Sequence, residues 1–179
     1  MTNKVIWLFG LSGAGKTTIS LNLKQQIQSP DRKVVLLDGD SLREGINQDL
    51  SFSDNDRLEN IRRVAEIAKL LSQNNVTCIC SIITPLDVHR KLARAIIGDN
   101  VSMIFIDCPL SECEKRDVKG LYEKARNNMI PKFTGISAPF EIPNDMDLKI
   151  HTQHKSPDEN VKEIISYLQQ SGAADKTGI

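Results

Sequence analysis

A chain of 179 residues with 23 Lys and Arg against 23 Asp and Glu, 40% hydrophobic and 26% charged, has the make-up of one globular domain whose core needs no disulfide staples. Balanced charge excludes a global field for polyanions, so nucleic acid is not an expected partner. No apolar run reaches the length of a membrane span and Met1-Thr2-Asn3 lacks the features of a signal peptide, so no membrane is expected and the expected location is the cytoplasm.

The first element is a strand, Lys4 to Phe9, and it runs directly into Gly10-Leu11-Ser12-Gly13-Ala14-Gly15-Lys16-Thr17, a full match to GxxxxGK(S/T). Glycines let the backbone turn tightly enough for successive N–H groups to face phosphate oxygens, and the following helix adds the positive end of its dipole. In such a cradle Lys16 reaches the outer phosphates of a nucleotide and Thr17 ligates Mg²⁺. The helix of about Lys16 to Gln28 stops at Ser29-Pro30-Asp31, and a second strand, Lys33 to Leu37, ends at Asp38-Gly39-Asp40.

A long helix opens at Ser53, with Asp56 supporting its N-terminus, and Leu58, Ile61, Ala65, Ala68 and Leu71 recur at helical spacing. Val76 to Ile83 reads as a buried strand, followed by a helix from Pro85 with Thr84 as its cap. Val101 to Asp107 is another strand, leading into a charged helical region through about Asn128. Ile130 to Pro143, with three prolines and exposed-looking Phe133 and Phe140, reads as a mobile loop. A short strand near Leu148 to Ile150 precedes the last helix, which Ser156, Pro157 and Glu159 start; a polar tail is expected from Gly172, leaving residues 1–171 as the domain. Alternating strands and helices without linker or repeat predict an α/β fold, a doubly wound parallel sheet with helices on both faces. Cys78, Cys80, Cys108 and Cys113 lie in or beside apolar segments without CxxC spacing and read as reduced core residues.

Leu37-Asp38-Gly39-Asp40-Ser41-Leu42-Arg43 sits where a parallel strand delivers its carboxyl end to a ligand crevice. Either carboxylate there can hold magnesium-bound water or accept a proton from a substrate hydroxyl. Arg57 and Asn60 share a face at the front of the long helix, and with Arg43 they suit a substrate bearing phosphate-like groups. Arg62 and Arg63 fit such a surface and an ordinary solvated helix face equally well.

Together GLSGAGKTT from Gly10, LDGDSLR from Leu37, FSDNDRLENIRRVAEIAKL from Phe52, PLSECEKRDVKGLYEKAR from Pro109 and FTGISAPFEIP from Phe133 resemble the adenosine 5′-phosphosulfate (adenylyl sulfate) kinase family. The resemblance implies a P-loop kinase with a mobile lid, which uses ATP and Mg²⁺ to phosphorylate the ribose 3′-hydroxyl of adenylyl sulfate. It implies ATP contacts at Gly10, Leu11, Ser12, Gly13, Ala14, Gly15, Lys16, Thr17, Thr18 and Arg116, and a catalytic role for Asp40 beside Lys16. Substrate contacts fall on Arg43, Phe52, Arg57, Asn60, Lys119 and Phe133, the last an aromatic that closes over the acceptor; Mg²⁺ falls to Thr17 with Asp38 or Asp40 through water. A homodimer and a sulfurylase partner are also implied.

Some positions depart from the family pattern. Thr84 stands where the family carries a serine known as a phosphoserine site, so its hydroxyl is a candidate for phosphorylation as well as a helix cap. His89 stands where an acid is frequent, and Met129, Pro131, Lys132 and Ser137 change the lid around Phe133. The cradle is untouched by these changes. They leave open a kinase for another modified nucleotide, such as a nucleoside diphosphoramidate, while intact Lys16, Thr17 and Asp40 argue against a non-catalytic nucleotide-binding partner.

Overall fold

The computed structural model describes residues 4–174, with side chains through 171. Five strands, β1 (Val5–Phe9), β2 (Val34–Asp38), β3 (Thr77–Ser81), β4 (Val101–Asp107) and β5 (Leu148–His151), form one sheet in the order β2-β3-β1-β4-β5. Every pairing is parallel; Trp7 lies beside Cys80 on one side and Met103 on the other. Such a sheet must be covered on both faces, because its strands are apolar in both directions.

The period of two sorts the residues. Ile6 and Leu8 of β1 join Ile79, Ile104 and Ile106 on one face, where α1 (Lys16–Ile27) and α7 (Pro157–Ala174) pack through Ile19, Leu23, Ile164 and Leu168. Val5, Trp7 and Phe9 join Cys78, Cys80, Met103 and Phe105 on the other, under Ile61, Val64, Ala65 and Ala68 of α3 (Asp54–Gln73) and Ala93 and Ile97 of α4 (Asp87–Ile97). The helices that follow the neighbouring strands β1 and β3 therefore leave on opposite faces. That divergence opens a crevice at the carboxyl ends of the strands, the usual ligand position of an open parallel sheet. All four cysteines are buried and free.

Helix starts follow local chemistry. The Ser53 hydroxyl accepts from the Asp56 N–H at 3.1 Å, and Ser156 and Glu159 bond reciprocally, the hydroxyl to the Glu159 N–H and the carboxylate to the Ser156 N–H. The structure refines several expectations. Asp38 leads into a short helix not assigned from the sequence, α2 (Gly39–Glu44), which its carboxylate caps by accepting from the Asp40 N–H at 3.1 Å. The charged region after Pro109 is two helices, α5 (Leu110–Arg116) and α6 (Leu121–Arg126), because the Asp117 carboxylate caps the second by accepting from the Tyr122 and Glu123 N–H groups.

Thr84 does not cap α4. Leu86 is the residue at that start, and the Thr84 hydroxyl, 1% exposed, accepts from Trp7 Nε1 at 2.9 Å and donates to the Ile82 carbonyl at 3.3 Å. The loop at 130–143 is likewise less exposed than its prolines suggest. Phe133 lies edge-on to Tyr122 with ring centres 5.0 Å apart, and Phe140 stacks on Phe105 at 5.9 Å. α7 runs through Ala174, so residues 172–174 extend the helix past the expected boundary, and the rest of the expected polar tail, 175–179, lies outside the described residues. Among the described residues no helix is long and apolar enough to cross a membrane.

Candidate active site

The turn between β1 and α1 is shaped from outside. Gly13 takes a left-handed φ of +72°, and a Cβ there would meet the Cys113 carbonyl at 3.1 Å, so a side chain would be both strained and crowded. Its carbonyls are held by donors from elsewhere: Tyr122 Oη donates to Ser12 O at 2.9 Å, Arg116 Nη1 to Gly13 O at 3.4 Å and Thr152 Oγ1 to Ala14 O at 2.9 Å. Lys16 Nζ donates to Leu11 O at 2.8 Å. The Gly10 and Ala14 N–H groups donate to Ile83 O and Leu11 O, both at 3.2 Å, and with the carbonyls occupied on the outside the remaining N–H groups of the loop are left for an anion. Burial lowers the Lys16 ammonium from its usual 10.5 to about 8, partly opposed by Cys113, Asp40 and Asp38. A cation desolvated in this way is poised for the negative charge of phosphate.

Next to the cradle, Thr17 Oγ1 donates to Asp38 Oδ2 at 3.0 Å. A hydroxyl and a carboxylate in contact at the mouth of a phosphate loop are the hard oxygen donors Mg²⁺ takes, with phosphate and water filling its other positions, so these residues fit that ion. Asp40, in the first turn of α2, forms an ion pair with Lys119, and both side chains are more than half exposed.

The guanidinium groups lie beyond Asp40. Arg43 sits 4.3 Å above the exposed Phe52 ring and donates to the Leu50 and Ser51 carbonyls; Arg57 lies 5.6 Å from the same ring. Arg57 also reaches the loop at 130–143, donating to Thr134 Oγ1 at 3.0 Å and Lys132 O at 2.5 Å. Partial burial lowers both arginines' pKa, and Arg43 and Arg57 are close enough for the first to lower the second further. Asn60 is buried and accepts from Asn47 Nδ2 at 2.9 Å, so it steadies the segment after α2.

Arg62 and Arg63 do not join this group: both pair with Glu59, and Arg63 also with Asp49, holding the Glu59 carboxyl down at about 2. Ser137 staples the loop's own turn, its hydroxyl accepting from the Phe133 N–H at 2.9 Å. His89 is buried on α4 with Nδ1 unpartnered, and burial, then Arg57 and Arg90, keeps it below the usual imidazole range and neutral. Beneath residues 135–142 and above the end of β4 lies a cavity of about 610 Å³, roomy enough for a nucleoside, with Leu11 of the cradle in its wall.

Arg116 serves the cradle from behind, through Gly13 and through Thr152, whose carbonyl accepts from Nη2 at 2.9 Å. Tyr122 and Thr152 had no assigned role in the sequence. Tyr122 stands inside the RDxKGLY run, which marks the position without its partner, and nothing in the pattern marks Thr152 as a ligand of the loop.

An open parallel sheet with a phosphate loop, a buried lysine and carboxylates at a strand end defines a P-loop phosphotransferase. The family model for adenylylsulphate kinase matches residues 2–151. The chain belongs to that family. It is 47% identical over 171 residues to the adenylyl-sulfate kinase of Pseudomonas aeruginosa, covering 95% of this chain and 87% of that one. To the adenylyl-sulfate kinase of Staphylococcus epidermidis it is 43% identical over 167 residues, 93% of this chain and 84% of that one. A solved structure of the Mycobacterium tuberculosis APS kinase in complex with AMPPNP and APS superposes with a TM-score of 0.89 at 40% identity, over 94% of this chain and 98% of that one.

Proposed function

We propose that this chain is an adenylyl sulfate kinase, transferring the γ-phosphate of ATP to the ribose 3′-hydroxyl of adenosine 5′-phosphosulfate to give 3′-phosphoadenosine 5′-phosphosulfate. The observation that carries the reading is the position of Asp40. It stands on α2 between the cradle, through Asp38 and Thr17, and the guanidinium groups of Arg43 and Arg57.

ATP lies with its phosphates on the N–H groups at the start of α1, Gly15 to Thr17, and Lys16 exchanges its bond to Leu11 O for the phosphate oxygens. Thr17 and Asp38 would hold Mg²⁺, which would supply positive charge against the phosphates. Arg43 and Arg57 face the acceptor's phosphosulfate, and Phe52 and Phe133 offer ring faces to its base. The 3′-oxygen attacks the γ-phosphorus, the bond to the β-bridging oxygen breaks and ADP leaves, while Asp40 takes the hydroxyl proton. Asp40 must first leave Lys119, at small cost, because an exposed pair of this kind is worth about 0–1 kcal/mol. Lys119, released, becomes a cation for the acceptor.

The same reading places the chain in the cytoplasm as a homodimer, with a sulfurylase supplying the acceptor. The test is a competition assay in which adenylyl sulfate, a nucleoside diphosphoramidate and unmodified nucleotides are offered with ATP. Adenylyl sulfate should be preferred by a large factor in kcat/KM. Preference for the diphosphoramidate would move the function to the other modified nucleotide, and ATP binding without transfer to any acceptor would make the chain a binding module.

A further inference from the structure

Tyr122 joins two parts of the site, the phosphate cradle and the loop at 130–143. It is 3% exposed, so neither end of its side chain is free to wander. Its hydroxyl donates to the carbonyl of Ser12, inside the phosphate cradle, at 2.9 Å. Its ring packs against Phe133, in the loop at 130–143, in a T-shaped contact with ring centres 5.0 Å apart and planes at 79°. Its own N–H is fixed by Asp117 at 3.0 Å, which anchors the start of α6.

The loop touches the cradle at a second place. Gly135 lies so close to Leu11 that a Cβ there would stand 3.0 Å from Leu11 Cδ2. On its other side the loop is held by Arg57 through Lys132 O and Thr134 Oγ1. One segment therefore leans on the ATP cradle and on an acceptor-side arginine at once.

From these contacts we infer that Tyr122 is a positioning residue that makes the shape of the ATP cradle and the seating of the loop at 130–143 depend on each other. When phosphates draw the loop N–H groups inward, the Ser12–Gly13 peptide is fixed and its carbonyl holds the tyrosine hydroxyl. The ring then keeps one fixed T-shaped contact with Phe133. Without the nucleotide that peptide is held through its carbonyl alone, so the phenol and Phe133 keep the same contacts less tightly. Burial raises the phenol's pKa, so the hydroxyl stays a donor throughout the range in which the protein works. A single neutral hydrogen bond sets the scale of the coupling at roughly two- to twelvefold.

The inference rests only on the ATP half of the proposed function. It can be tested with AMPPNP alone, so failure of the acceptor assignment, read in the competition assay, is distinguishable from failure here. Hydrogen exchange of the 130–143 amides is measured in the parent and in Tyr122→Phe, with and without saturating AMPPNP. Tyr122→Phe keeps the ring and removes only the donor to Ser12; a single cooperative unfolding transition of the nucleotide-free variant, well above the temperature of the exchange experiment, verifies that it folds. Phe133→Leu breaks the other end of the contact while keeping an apolar side chain.

In the parent, AMPPNP should slow exchange across the loop by about twofold or more, on the scale of one hydrogen bond. In Tyr122→Phe the nucleotide should still bind at saturation while the slowing disappears, and Phe133→Leu should lose it too. Conserved protection in Tyr122→Phe, or a parent loop that does not respond to AMPPNP, would overturn the inference.

Discussion

The phosphate cradle and the acceptor face sit side by side on one sheet and are held in opposite ways. Around the cradle, the carbonyls of Ser12, Gly13 and Ala14 are each bound by a side chain from a distant part of the chain, and Lys16 is buried. At the proposed acceptor face the charged groups rest on partners from the chain itself: Asp40 on Lys119, Arg43 on the Leu50 and Ser51 carbonyls, Arg57 on Lys132 and Thr134. On the proposed function the cradle is built before its ligand arrives, whereas the acceptor face would exchange partners when its ligand enters. Pre-organisation where charge is transferred and rearrangement where specificity is decided is the division a kinase needs to avoid giving its phosphate to water.

The sharpest break of this comparison is Asp40→Asn. It keeps the shape of the acceptor face and removes the proton acceptor, so kcat should fall by about 10² to 10⁴ while ATP binding changes little. An equal loss in ATP affinity, measured by calorimetry, would place Asp40 in the cradle instead.

Lys16 tests the other side through pH. Its folded pKa of about 8 lies below the 10.5 it has when solvated, so between those values the unfolded chain binds more protons than the folded one. Stability of the nucleotide-free protein should therefore rise with pH across that window, by up to about 3 kcal/mol, the cost of holding the buried ammonium charged at lower pH. Bound phosphate restores the charge, so above pH 8 ATP binding should take up a proton and weaken by as much as about tenfold per pH unit. Calorimetry in two buffers of different ionisation enthalpy reads the uptake directly, and an affinity flat from pH 7.5 to 9.5 would contradict the poised lysine.

Thr152→Val is a smaller probe of the cradle alone. It preserves volume but takes the donor from Ala14 O, which should cost about 1–3 kcal/mol of stability by thermal unfolding. The KM for ATP should rise about tenfold at unchanged acceptor KM, the same hydrogen bond being lost to the loop. Smallest of all, Lys119→Met should leave stability within about 1 kcal/mol, as for any exposed ion pair, and act mainly on the acceptor KM. A large fall in stability would mean that the acceptor face is as rigidly built as the cradle.

Strands and cradle were readable in the sequence because their signals are local: the apolar run from Val101 to Asp107 is β4 to the residue, and GLSGAGKT sets the turn before α1. α2 escaped notice because six residues carry no apolar period and Asp38-Gly39-Asp40 has turn composition. Phe133 and Phe140 looked exposed because loop composition does not say which aromatic lies beneath, here Tyr122 and Phe105. Thr84 sat before a proline and an acid, a good cap pattern, but a buried indole N–H competed for its hydroxyl and won. The donors that shape the cradle, Arg116, Tyr122 and Thr152, stand 103, 110 and 138 residues from the carbonyls they hold. Only the folded chain brings them together.

The most direct measurement of the central claim is the identity of the product formed from ATP and adenylyl sulfate, followed by phosphorus NMR, with the 3′-deoxy analogue of adenylyl sulfate run in parallel. The account expects one new phosphomonoester on the 3′-oxygen, formed in step with ADP, and no phosphorylated product from the 3′-deoxy compound. ATP consumed to inorganic phosphate with adenylyl sulfate unchanged, or a phosphate appearing at another position of the acceptor, would contradict it.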